Sequence, residues 1–187
     1  MNILVIDNYD SFTFNLVHLL NETGHEATVW RNDKFKLADV NAFDKILLSP
    51  GPGIPSESGL LLDVIRTYST SKSILGICLG LQAIGEVFGG ELYNLSRPIH
   101  GRATEIKVLD TEEKLFQNCP TKFKVGRYHS WAMRNDKVPA EIVITAEDAD
   151  GVIMALKHRT LDVRGVQFHP ESVLTEHGKL LIYNWLS

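Results

Sequence analysis

Short apolar segments alternate with segments of helical periodicity through the first half of the chain. The predicted strands are Asn2–Asp7, Ala27–Trp30, Lys45–Ser49 and Ile74–Ile77. Two amphipathic helices are predicted from apolar residues at helical spacing, which are Phe12, Leu16, Leu19 and Leu20, then Leu60, Leu61, Val64, Ile65 and Tyr68. Ser11 is the expected N-cap of the first helix, and Ser56 or Ser58 of the second. A third helix is predicted to run from the last strand to Phe88.

The second half is richer in β-branched and aromatic residues. Its predicted strands are Thr104–Leu109, Phe123–Tyr128, Glu141–Ala146, Val152–His158 and Val163–Phe168, and Glu176–Leu186 is predicted to form a final helix. The alternation in the first half predicts a flavodoxin-like, three-layer α/β fold, with a mostly parallel sheet and helices on both faces. The strand-rich second half predicts an added antiparallel portion. No linker divides the chain, so we expect a single domain over residues 1–187.

Composition narrows the class of protein. The chain is 44% apolar and 22% charged, with a formal net charge of −4, which gives no general attraction to nucleic acid or to an anionic membrane. No apolar run reaches membrane-spanning length, and the first residues lack the features of a signal peptide. Two cysteines, Cys78 and Cys119, do not make a disulfide framework. We therefore expect a cytoplasmic protein.

The segment Ile74–Gln82 carries the strongest chemical signal. A predicted buried strand stops at Cys78, which has a glycine two residues before it and another two residues after it. This is the G-x-nucleophile-x-G pattern of a strand–turn–helix elbow, with cysteine as the nucleophile. Gly76 and Gly80 allow the strand and the helix to pass close together, and a helix N-terminus favours a thiolate over a thiol. A buried structural cysteine is the alternative interpretation.

His169 and Glu171 are the expected partners of Cys78. They follow a short apolar strand in the order His-Pro-Glu. Residues two apart on an extended chain project to the same side, and Pro170 keeps His169 extended. A carboxylate beside an imidazole fixes the tautomer and raises the basicity of the ring. The three residues therefore predict a Cys-His-Glu catalytic triad.

The loop Ser49–Pro55 contains three prolines and two glycines after a predicted strand. Such a loop holds its shape and exposes backbone N–H groups to a ligand. Its glycine spacing does not match the dinucleotide fingerprint, so a clamp for an oxyanion or a small substrate fits better. Because Asp7, this loop and Cys78 all follow strand ends, we expect them at one edge of the sheet.

Five segments, in this order and spacing, resemble the class I, or triad, glutamine amidotransferases. They are Asp7–Leu16, Ser49–Gly53, Gly76–Gln82, Arg127–Ser130 and Phe168–Ser172. The resemblance spans essentially the whole chain and is nearest to the glutaminase subunits of anthranilate synthase and aminodeoxychorismate synthase. Two residues depart from the family pattern: Leu81 stands where histidine is common, and Trp131 where leucine is frequent.

The resemblance implies that this chain hydrolyses L-glutamine. Cys78 would attack the side-chain amide, His169 would transfer protons, and Glu171 would orient His169. The implied substrate contacts are an oxyanion-binding loop, Gly51, Pro52 and Gly53, with the backbone N–H of Leu79, and the glutamine-binding residues Gln82, Ser130 and Trp131. No histidine pair has zinc-ligand spacing and no Cys-x-x-Cys occurs, so we expect neither a metal nor an organic cofactor.

The implied partner is the large subunit of a chorismate-using synthase, which would receive the ammonia. Anthranilate synthase is the first candidate, and aminodeoxychorismate synthase is the second. Nothing in the chain offers an acceptor site for chorismate, so we expect poor glutaminase activity without the partner. The segments Asp7–Phe14 and Ile99–Arg102 are the expected contacts with it.

Three other functions fit part of the pattern. A free-standing γ-glutamyl hydrolase or a peptidase-like cysteine hydrolase would share the triad but not the segments Asp7–Leu16 and Arg127–Ser130. A non-catalytic interaction module would not need Cys78 or Gln82. A phospho-receiver domain would need an aspartate where this chain has Ser49. Cys119 is expected to be inert, and packing or surface roles are expected for His18, His25, His158 and His177, while His129 stays open between structural and chemical roles.

Overall fold

Nine strands form one mixed sheet, and the computed structural model describes residues 1–187 throughout. The strands are β1 (Ile3–Asp7), β2 (Ala27–Arg31), β3 (Lys45–Leu48), β4 (Ser73–Ile77), β5 (Leu92–Val108), β6 (Lys122–Met133), β7 (Ile142–Asp148), β8 (Ile153–His158) and β9 (Val163–Val166). Their order across the sheet is β2-β1-β3-β4-β9-β8-β7-β5-β6. The neighbours from β2 to β9 are parallel, and those from β9 to β6 are antiparallel. The predicted fold class is therefore confirmed.

Helices cover both faces of the parallel part. They are α1 (Thr13–Glu22), α2 (Leu61–Tyr68), α3 (Leu79–Val87) and α4 (Gly178–Leu186). Alternate residues of β1 enter two different cores: Val5 packs in the core of α1 and α4, and Ile6 in the core of α2 and α3. This two-sided burial explains why β1, β3 and β4 are largely continuous apolar runs. No helix combines the length and apolar character needed to cross a membrane.

The β5–β6 hairpin is longer than predicted. The predicted strands begin at Thr104 and end at Tyr128, whereas β5 begins at Leu92 and β6 ends at Met133. Most residues in the first half of β5 are exposed, and its pairing with β6 shifts register on either side of Ile99 and His100. A strand without a buried face has no hydrophobic alternation, so periodicity could not reveal this half of the hairpin.

The predicted serine N-caps are wrong. Phe12 and Leu60 are the N-cap residues of α1 and α2, and neither makes a side-chain cap. The turn before α1 is held instead by Asp7, whose carboxylate accepts a hydrogen bond from Thr13 Oγ1 at 2.8 Å. Before α2, the Ser58 hydroxyl donates to the Ile54 carbonyl at 3.1 Å. Asp7 therefore ties the start of α1 to the end of β1, but no side chain caps the helix.

The turn from β4 into α3 forms the predicted elbow. Cys78 adopts a φ of 53° and a ψ of −101°, a combination that costs a non-glycine residue about 1–3 kcal/mol. A Cβ on Gly76 would lie 2.4 Å from the Gly80 carbonyl carbon, and a Cβ on Gly80 would lie 2.7 Å from the Leu48 carbonyl oxygen. Only glycine at these two positions lets α3 pass so close to β4 and to the neighbouring strand β3.

We expect Gly76→Ala to destabilise the protein by about 2–4 kcal/mol, because backbone atoms cannot rotate away from the added methyl group. Gly89→Ala is the contrast: Gly89 has a φ of 95° with nothing within 4 Å of an added Cβ, so only conformational strain of about 1 kcal/mol should appear. Urea unfolding measures both. Equal losses in the two variants would contradict the close crossing of β4 and α3.

Candidate active site

A cavity of about 160 Å³, which we call the inner cavity, opens at the carboxyl ends of the parallel strands. Its lining residues are Gly51, Pro52, Gly53, Cys78, Gln82, Tyr128, His129, Ser130 and Trp131. The loop after β3, the helix α3 and the antiparallel strand β6 thus bring most of the proposed substrate contacts together at this edge of the sheet. Leu79 is the exception, because its side chain is buried in the core of α2 and α3 and only its backbone could face a ligand.

A second space, which we call the outer cleft, lies on the other side of Cys78. It measures about 400 Å³ and is lined by Tyr9, Asp10, Ser11, Phe12, Pro50, Gly51, Pro52, Cys78, His100, Tyr128 and His169. Cys78 and three other residues line both spaces. The nucleophile candidate therefore stands at the boundary between a smaller and a larger space.

His169 and Glu171 form a buried pair beside Cys78. His169 Nδ1 lies 2.7 Å from Glu171 Oε1, and both side chains are almost fully buried. The other ring nitrogen, Nε2, is buried and has no hydrogen-bond partner. Burial lowers the pKa of His169, but contacts with Cys78 and Glu171 outweigh burial and raise it to about 10. The imidazolium form is therefore favoured at neutral pH.

Two aromatic rings fix the position of the His169 ring, and neither was predicted from the sequence to do so. The Phe12 ring meets it edge-on at 5.4 Å, and the Tyr128 ring lies 4.9 Å away. The backbone of His169 is held as well, because its N–H donates to the Gly126 carbonyl at 3.0 Å. These contacts leave the ring little freedom and keep water from its faces. The family-like segments containing Phe12 and Tyr128 were the only available signal.

The loop after β3 is held in place by hydrogen bonds from Asn8, which is itself held by Asn32. Asn8 donates its backbone N–H to Ser49 Oγ at 2.9 Å and its amide to the Ser49 carbonyl at 2.8 Å. Asn32 in turn donates to Asn8 Oδ1 at 3.0 Å. The backbone N–H groups of Gly51, Gly53 and Leu79 donate to no acceptor in the chain. They are available to bind an oxyanion, in the way that unpaired donors at a helix N-terminus are.

Gln82 is held at the floor of the inner cavity. Its Nε2 donates to the Trp131 carbonyl at 2.8 Å and to Gln167 Oε1 at 3.2 Å. Gln167 Nε2 lies 3.4 Å from Cys78 Sγ as a donor. No sequence pattern marks Gln167 as a site residue. It follows the last paired residue of β9, Val166, which is in register with Ile77 of β4, so it lies beside Cys78.

His129 belongs to a buried polar cluster behind the cavity. Arg127 pairs with Asp148 at 2.5 Å and donates from Nε to His129 Nε2 at 3.1 Å. His129 Nδ1 lies 2.8 Å from the Trp131 carbonyl. Burial first, and then the positive charge of Arg127, lower the pKa of His129 to about 4. His129 is therefore neutral at pH 7 and holds the strand segment that lines the cavity.

The remaining candidates lie away from this chemistry. Cys119 is half-buried, and burial raises the pKa of its thiol to about 11, which disfavours the reactive thiolate. The Leu81 side chain is buried in the core of α2 and α3 and lines neither the inner cavity nor the outer cleft. No group of three or more His, Cys, Asp or Glu side chains is arranged to hold a metal ion.

A cysteine on a strand–helix elbow beside a buried His–Glu pair is the arrangement of cysteine-dependent acyl transfer. The sequence model of the family described as "Glutamine amidotransferase class-I" matches residues 4–187. This chain therefore belongs to the class-I glutamine amidotransferase family.

Individual relatives agree with this assignment. "Anthranilate synthase component 2" of Thermus thermophilus is 46% identical, over 100% of this chain and 92% of the relative. "Aminodeoxychorismate synthase component 2" of Escherichia coli is 44% identical, over 98% of each chain. The crystal structure of a GMP synthase candidate from Thermoplasma acidophilum has a TM-score of 0.89 at 26% identity, over 100% of this chain and 92% of that one.

The neutral state of His129 predicts a pH-dependent loss of stability. The pKa is about 6.5 in the unfolded chain and about 4 in the folded one, so the unfolded state binds the proton more tightly. The stabilisation is complete above pH 6.5 and falls as the pH drops to 4, by about 3 kcal/mol. Urea titrations should show this loss in the wild type relative to His129→Gln. His18→Gln, at an exposed histidine, should leave the wild-type pH dependence unchanged; identical curves for His129→Gln and the wild type would refute the assignment.

Proposed function

We propose that this chain, as one domain over residues 1–187, is the cytoplasmic glutaminase component of a chorismate-using synthase. It hydrolyses the side-chain amide of L-glutamine and delivers ammonia to the large subunit, component I. The position of Cys78 between the inner cavity and the outer cleft carries this proposal. Glutamine would occupy the inner cavity, and the ammonia released at Cys78 would leave through the outer cleft.

The chemistry is acyl transfer through a thioester. The Cys78 thiolate attacks the δ-carbonyl carbon of glutamine, and the free N–H groups of Gly53 and Leu79 stabilise the oxyanion. One such donor is typically worth about 10²–10³ in rate. Protonated His169 gives its proton to the leaving nitrogen as the C–N bond breaks, which releases ammonia and leaves a γ-glutamyl thioester. Neutral His169 then takes a proton from water, and the water oxygen displaces the thiolate to give glutamate.

The other end of the substrate would be held by the opposite wall of the inner cavity. Gln82 and the backbone of Ser130 and Trp131 offer hydrogen-bonding groups there. Since Trp131 contacts the site through its backbone carbonyl, which accepts from Gln82 and His129, tryptophan in place of the more frequent leucine should matter little. Glu171 keeps His169 aimed by accepting from Nδ1, so the unpaired Nε2 faces the reacting atoms.

The partner would cover the outer cleft. The cleft is bordered by Tyr9, Phe12 and His100, which lie within the two segments Asp7–Phe14 and Ile99–Arg102. Tyr9 is 47% exposed and Phe14 is 68% exposed, which suits burial against another subunit. We propose anthranilate synthase component I as the main partner and aminodeoxychorismate synthase component I as a second, since the relatives carry both names.

We expect His169→Ala to lower kcat by about 10²–10⁴ with little change in glutamine binding, because the proton donor is lost. Glu171→Gln should cost less, because an orienting group contributes less than the group it orients. The exposed pair His18 and Glu22 provides matched controls, His18→Ala and Glu22→Gln, which should retain full activity. Steady-state kinetics of the complex measure all four variants. A larger loss in Glu171→Gln than in His169→Ala would reverse the roles of the two residues.

A mixing experiment with each component I tests the function itself. Glutamine-dependent product should form only when both proteins are present, and Cys78→Ser should abolish it, while Cys119→Ser should not. High ammonium salt should still support synthesis with the Cys78→Ser complex, because the acceptor chemistry belongs to the partner. Efficient glutamine hydrolysis by the isolated chain, with no effect of either component I, would favour a free-standing hydrolase instead.

A further inference from the structure

Gln167 is a buried polar residue that the proposed mechanism does not use. Its side chain is fully enclosed, at 0% exposure, and it contacts two members of the site. Its Nε2 is 3.4 Å from Cys78 Sγ, and its Oε1 is 3.2 Å from Gln82 Nε2. A buried amide is normally satisfied at both ends, and here one of those ends is the nucleophile itself.

The orientation of this amide follows from the donors and acceptors behind it. The oxygen and nitrogen of an amide are alike in shape, so neighbouring groups must decide which way it points. Behind the amide, Arg127 fixes the tautomer of His129, because its guanidinium can only donate. Since Arg127 Nε donates to His129 Nε2, that ring nitrogen carries no proton. His129 therefore bears its proton on Nδ1 and donates it to the Trp131 carbonyl.

The Trp131 carbonyl, which accepts from both His129 and Gln82, fixes the orientation of the two glutamine amides. A carbonyl oxygen only accepts, so the Gln82 amide must turn its nitrogen to Trp131. That nitrogen also meets Gln167, which must then present its oxygen to Gln82. The nitrogen of Gln167 is thereby left facing Cys78 Sγ. Reversing either amide would bring two oxygens, or two N–H groups, into contact.

We propose that Gln167 is a positioning residue for the nucleophile: its amide N–H holds Cys78 Sγ as the thiolate, in an orientation imposed by the Trp131 carbonyl through Gln82. The inference rests on the proposed function for its catalytic meaning, but the contact itself does not depend on glutamine. A hydrogen bond to a charged acceptor is stronger than one to a neutral acceptor, so the contact favours the thiolate and limits rotation of the cysteine side chain.

Two substitutions separate the two ends of the Gln167 amide. Gln167→Met keeps the length of the side chain but loses both hydrogen bonds. Gln167→Glu keeps an oxygen acceptor for Gln82 and replaces the donor at Cys78 by a carboxylate. Gln117 is exposed and its side chain makes no hydrogen bond, so Gln117→Glu is a matched control for the change from amide to carboxylate.

The first measurement is alkylation of Cys78 by iodoacetamide as a function of pH, followed by peptide mass spectrometry on the full chain. We expect Gln167→Met to move the midpoint upward by about one pH unit, Gln167→Glu to move it further, and Gln117→Glu to leave it unchanged. A purely packing role would change stability without this shift. The surrounding titratable groups stay the same in every variant: His169, Glu171, Tyr9, Asp10, His100 and Tyr128.

The second measurement is steady-state kinetics with the partner synthase. Gln167→Glu should lower kcat about tenfold or more while KM for glutamine changes less than about threefold, because Gln82 keeps its acceptor. Gln167→Met should lower kcat and also raise KM. A folded Gln167→Met protein with the wild-type alkylation midpoint would overturn the proposal, and that variant decides the outcome if Gln167→Glu does not fold. A wild-type chain that shows no glutamine-dependent activity with either synthase would count against the proposed function, while the alkylation profile would still report on Gln167.

Discussion

A single backbone hydrogen bond, from Cys78 N–H to the Val166 carbonyl at 2.8 Å, continues the pairing of β4 with β9 beyond the last residues of the ladder. Because the two strands are parallel, they end at the same edge of the sheet. Cys78 leaves one strand and Gln167 leaves the other, side by side, and His169 follows two residues later. The inner cavity, the His–Glu pair and the outer cleft all take their positions from this pairing.

The pairing also explains how a strained residue is tolerated. The left-handed backbone of Cys78 is held between well-packed elements on both sides. A Cβ on Gly165 of β9 would lie 2.9 Å from Leu81 Cβ, just as Gly80 leaves no room above Leu48. The helix is thus seated on three strands at once, and burial of its apolar residues offsets the local cost. Leu81 belongs to this packing, and the family's more frequent histidine at this position is not needed for it.

Local patterns predicted the parts of the site that lie along one stretch of chain. The two glycines around Cys78, the His-Pro-Glu order and the apolar strands each carry their signal within a few residues. Gln167 carried no such signal, because it lies beside Cys78 only through the pairing of β4 with β9. Sequence periodicity does not encode that pairing. The cluster of Arg127, His129 and Asp148 was equally hidden, since the antiparallel strands bring its members together.

Prediction also failed where a side chain has a different hydrogen-bond partner from the one its residue type suggests, and where a strand has no buried face. Ser11 and Ser58 have the residue types of helix caps, yet Asp7 and the Ile54 carbonyl already supply the hydrogen bonds in those turns. The first half of β5 lacks a buried face, so it had no alternation to detect. In each case the sequence shows the residue types, but it does not show the geometry that decides which groups those residues contact.

The position of β9 in the middle of the sheet has a consequence for when the site forms during synthesis of the chain. The strand that leads to Gln167 and His169 leaves the ribosome well after β4 and Cys78. Until β9 inserts between β4 and β8, Cys78 lies beside neither the His169 imidazole nor the Gln167 amide. Long-range pairing of this kind forms late in folding. The surroundings that the proposed chemistry requires at Cys78 are therefore assembled only when the sheet closes.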